Sequence, residues 1–64
     1  MTNDRPALAS AATTIDELVK RVSTSAERFE STGDEATASD LYDVERSLRA
    51  AARRLSLVVR RLDQ

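Results

Sequence analysis

From Leu8 onward, apolar residues fall at intervals of three and four in two long runs, separated by one short polar segment. In the second run leucines stand at 41, 48, 55 and 62, with Val44, Ala51 and Val58 between them. Spacing of this kind over three heptads keeps one apolar stripe along one side of a helix, where a partner helix can cover it. In the first run Leu8, Ile15, Val22 and Phe29 recur every seven residues. Ala11, Leu18 and Ser25 follow at the three-residue offset, and Ala12, Val19 and Ala26 lie beside them. The pattern predicts two helices, each packing on helices.

Local signals place the ends. The polar start, residues 1–4, is expected to fray, with Asn3 or Asp4 available as a cap and Pro6 tolerated in a first turn, where its missing N–H has no partner to lose. Helix 1 is then expected over about 5–31. Thr14-Ile-Asp-Glu17 fits a capping box and offers a competing start, but Leu8 is in register with the rest of the stripe. The polar segment Glu30-Ser-Thr-Gly-Asp-Glu35 contains the only glycine of the chain, suited to the left-handed residue just past a helix end. A turn is expected over 32–34, with Thr32 or Asp34 as cap, and helix 2 over about 35–63.

Folding back near residue 35 makes residues meet whose numbers add to about 70: Leu8 with Leu62, Ile15 with Leu55, Val22 with Leu48, Phe29 with Leu41. All four pairs are apolar, so the fold expected is all-α, an antiparallel two-helix hairpin of coiled-coil type forming a single domain. Each stripe is wider than one partner helix can cover. The economical remedy is a second copy, giving an antiparallel four-helix bundle. Its seam would comprise Leu8, Ile15, Leu18, Val22 and Phe29 with Leu41, Val44, Leu48, Ala51, Leu55, Val58 and Leu62. Charge suggests how the copies lie: residues 34–45 carry five acids and no base, residues 46–64 six arginines and one acid. Antiparallel packing of helix 2 on its mate sets Asp40 and Asp43 near the mate's Arg54 and Arg61.

Composition sharpens this picture mostly by exclusion. A chain of 64 residues without cysteine has neither disulfides nor a Cys/His zinc set to support a small core. Oligomerisation is the remaining support. The lack of cysteine, of a basic-then-apolar leader and of a long apolar run points to a cytoplasmic protein away from membranes. Ten basic and eleven acidic residues nearly cancel, and nine of the ten bases are arginine, a bias that a GC-rich bacterial genome is expected to give. Without histidine or cysteine the commonest general base, the thiolate nucleophile and most transition-metal sites are missing. Asp16 with Glu17, and Asp40 with Asp43 and Glu45, form no recognised cation motif. No enzyme, metal or cofactor is expected.

The arginines have the most functional reach. Arg46, Arg49, Arg53, Arg54, Arg60 and Arg61 lie on the polar side of helix 2, where guanidinium groups can hold a protein partner, phosphates or a nucleic-acid backbone. Net charge of −1 and the absence of interleaved aromatics weigh against nucleic acid. Arg60-Arg-Leu-Asp63 contains an Arg-x-x-Asp that resembles the pattern at which some diguanylate cyclases bind cyclic di-GMP. That four-residue resemblance implies cyclic di-GMP at Arg60 and Asp63. The reading that follows is a non-enzymatic interaction or regulatory module that forms a homodimer and docks a protein partner, in transcription or signalling. The alternative is a binder of a phosphorylated ligand or nucleic acid.

Overall fold

The computed structural model describes residues 3–63. Two helices account for nearly all of them, α1 (Asp4–Ser31) and α2 (Glu35–Leu62). They pack against each other as the expected antiparallel hairpin, a rod with principal extents of 51 × 14 × 11 Å. The expected frayed start includes Met1 and Thr2, which lie outside the described residues. Asn3 stands at the N-cap without a side-chain capping bond, and Asp4 already belongs to the helix. Thr14 is interior to α1, and its hydroxyl donates to the Ser10 carbonyl at 3.1 Å, so the competing helix start there is not used.

The reversal takes three residues, because one motif ends α1 and starts α2. Gly33 has φ +90°, a conformation that costs an L side chain but not glycine. Its N–H donates to the Glu30 carbonyl at 3.2 Å, and the Asp34 N–H donates to the Phe29 carbonyl at 2.9 Å. This pair of bonds is a Schellman motif, which satisfies carbonyls that the helix end leaves free. Asp34 then serves as N-cap of α2: its Oδ1 accepts from the Thr37 N–H at 3.1 Å, and its Oδ2 from the Thr37 hydroxyl at 2.8 Å. Glu35 in the first turn and Arg60 and Arg61 in the last oppose the α2 dipole favourably.

Small side chains occupy the line of closest approach. Ala12, Val19 and Ala26 of α1 and Ala38 and Ala52 of α2 are the buried apolar residues, and Ala26 is fully enclosed. They recur at seven or fourteen residues, so each set lies on one straight line along its helix. Glu45 occupies the α2 line between Ala38 and Ala52, its side chain only 13% exposed, where it accepts from Arg49 at 2.7 Å. Two end contacts give the register. Tyr42 donates to Glu30 at 3.2 Å near the turn, and Arg5 pairs with Asp63 at the open end. Residues whose numbers add to 68–72 therefore lie level, which places Val19 beside Ala52 and Ala26 beside Glu45.

Candidate functional site

The two flanks of the rod differ in chemistry. Helical periodicity turns the same-sense flanks of two antiparallel helices to one side of the hairpin. On one side lie the leucine lines, Leu8–Ile15–Val22–Phe29 and Leu41–Leu48–Leu55–Leu62. All of these are half-buried except Leu62. Next to them run Ala11, Leu18 and Ser25 on α1, and Val44, Ala51 and Val58 on α2. Leu18 is 39% exposed, Val44 45% and Leu62 48%. No large side chain is fully buried among the described residues. The hairpin contact uses the alanine line, half-covers most of the leucine lines and leaves Leu18, Val44 and Leu62 exposed on this side.

The opposite flank is charged and carries two shallow grooves. Near the turn, Glu30, Glu35, Ala38, Ser39, Tyr42, Asp43 and Arg46 line one. The partly covered phenol of Tyr42, beside the Glu30 carboxylate, is pushed above its usual pKa, because both burial and a neighbouring negative charge disfavour the phenolate. Arg46 is paired with Asp43. Towards the open end a groove of ≈ 480 Å³ is lined by Asp16, Arg49, Ala52, Arg53, Ser56, Leu57 and Arg60. Arg49 is tied to Glu45, whereas Arg53 and Arg60 make no ion pair among the described residues.

The six arginines of α2 therefore do not form one surface. Arg46 lies at the turn-end groove; Arg49, Arg53 and Arg60 lie at the other; Arg54 and Arg61 line neither groove and point away from α1 by periodicity. Asp63 caps the end of α2, and its carboxylate is bound by the Arg5 guanidinium, one of the bonds being 3.0 Å. The hydrogen bond and charge of Arg5 hold that carboxyl below its ordinary pKa. The Arg-x-x-Asp element is thus engaged at its acid by the other helix. Asp16, Ser56 and Leu57 join the arginine groove without a sequence motif. Leu57, 55% exposed, was detectable as the one leucine of α2 outside the heptad lines.

Among the described residues, no group of three or more acidic side chains is placed to hold a metal ion, and no helix is long and apolar enough to cross a membrane. Compared with protein-family models, with curated proteins and with solved structures, the chain matches none.

Proposed function

We propose that this chain is a non-enzymatic, self-associating helical module of the cytoplasm. Its apolar face joins a second copy in an antiparallel four-helix bundle, and its charged flank docks a protein partner in transcription or signalling. The observation that carries this reading is surface. A compact monomer of this mass is expected to expose about 4100 Å², whereas the hairpin exposes 4940 Å². The excess, roughly 800 Å² against that scaling, is similar to the ~800 Å² that each partner covers in a standard interface. On the apolar side Leu18, Val44 and Leu62 are exposed and the other leucine-line residues half-buried, so apolar groups recur along both helices.

Val44→Lys tests this. In an isolated hairpin, a lysine at a position already 45% exposed changes stability by no more than about 0.5 kcal/mol. In the bundle it places a charge against the apolar face of the mate. The expected result is a wild-type chain with twice the 7.1 kDa mass by light scattering, and a Val44→Lys chain reduced to the monomer mass at the same micromolar concentration. A folded, helical wild-type monomer under these conditions would remove the reading.

A second reading rests on the groove where Arg53 and Arg60 stand one heptad apart. It would hold a phosphorylated ligand such as cyclic di-GMP, or a nucleic-acid backbone. Titration calorimetry with cyclic di-GMP and with a short DNA duplex decides it. Binding lost in Arg53→Ala/Arg60→Ala at unchanged mass supports this second reading; no heat with either probe in the wild-type chain eliminates it.

A further inference from the structure

We infer that the second copy stacks end for end, apolar face on apolar face, about a twofold axis crossing the helices near Ala51. The turn of each hairpin then lies beside the open end of the other. This rests on the self-association proposed above and specifies its geometry. Two twofold arrangements bring the same faces together. One has its axis along the rod and sets both turns at one end; the other has its axis across the rod and sets them at opposite ends. Both cover the same apolar face and place nearly the same side chains in each layer, so apolar area does not choose between them.

Charge does. Between residues 27 and 46 the hairpin carries seven acids and two bases, while residues 4–5 and 49–63 together carry six bases and two acids. Turns at one end bring acid to acid and arginine to arginine within about 10 Å, the Debye length at 0.1 M salt. End-for-end stacking sets each acidic end against an arginine end.

The intrachain ion pairs leave suitable groups for this contact. Asp43 is held by Arg46 and Glu45 by Arg49, whereas Asp40 and Arg61 are exposed and unpaired among the described residues. An axis at Ala51 sets Asp40 opposite Arg61 of the second copy, and Val44 opposite its Val58, because each pair is centred within half a residue of 51. Level with that axis on α1, by the hairpin register, is the stretch around Val19. There Leu18, 39% exposed, meets Leu18 of the second copy on the axis. Contacts on both helices thus share one axis, as an isologous interface requires.

A spin label on Ala36→Cys measures the geometry in the full chain, with light scattering and circular dichroism on the same sample. Residue 36 lies fifteen residues from the axis, so at 1.5 Å per residue the two labels should be about 45 Å apart. Ala51→Cys, an exposed position, should form a cross-linked dimer on mild oxidation. Labels within about 20 Å, two helix diameters, in a sample of dimer mass would overturn end-for-end stacking while leaving self-association standing. A dimer with widely separated labels but no Ala51→Cys cross-link overturns the axis position. A monomer mass removes self-association and this geometry together.

Discussion

Val19→Asp should abolish the cooperative helical melt at neutral pH. Val19 is 5% exposed at the middle of α1, on the line where the helices come closest and level with Ala52. The neighbouring positions on that line are alanines, and no cation shares it. Placing an ionised carboxylate there costs several kcal/mol. A chain of this size has only about 3–5 kcal/mol of core stability to lose. The sign with pH follows from the same environment. Burial raises the folded-state pKa of the introduced acid above its unfolded value, so the ionisation part of its cost is absent below the unfolded pKa, sets in as pH rises through that value and grows up to the folded pKa. The cost of a buried neutral carboxyl in place of a valine remains at every pH. Far-ultraviolet circular dichroism against temperature is the measurement. An unchanged melting temperature would show that residue 19 does not lie between the helices.

Ala26→Leu should be the most damaging of the purely apolar substitutions. Ala26 has no exposed surface, and Glu45 lies level with it across the hairpin. Three added carbons must either push the helices apart or drive Glu45 from its bond with Arg49. Overpacking of this kind costs about 1–3 kcal/mol. At roughly 4–8 °C per kcal/mol for a small domain, the melting temperature should fall on the order of 10 °C. Ala36→Leu, on the exposed side of α2, is the control and should change stability by no more than about 0.5 kcal/mol. A leucine tolerated equally at both positions would contradict close helix approach at Ala26.

Much of this fold could be read in one dimension. The heptad spacing requires two helices, and a helix end marked by Gly33 followed by Asp34 requires a reversal between them. Equal run lengths on either side of the turn make the reversal a hairpin, and the level pairs follow from simple addition. The same addition, applied to charged residues, points to Arg5 with Asp63. Those two were hidden because one lies in a polar start and the other inside an apparent Arg-x-x-Asp motif.

The sequence by itself determined the two helices, their turn and the existence of an apolar face, because periodicity and capping act through neighbours a few residues apart. Only the tertiary structure decided which of the adjacent heptad lines runs between the helices. Hydropathy favours the leucine lines, but backbones approach most closely over small side chains. Ala12, Ala26, Ala38 and Ala52 therefore take the contact and the leucines flank it. That small rotation of each helix about its axis left Leu18, Val44 and Leu62 exposed on one side. It also divided the arginines, with Arg53 and Arg60 in a groove and Arg54 and Arg61 facing away.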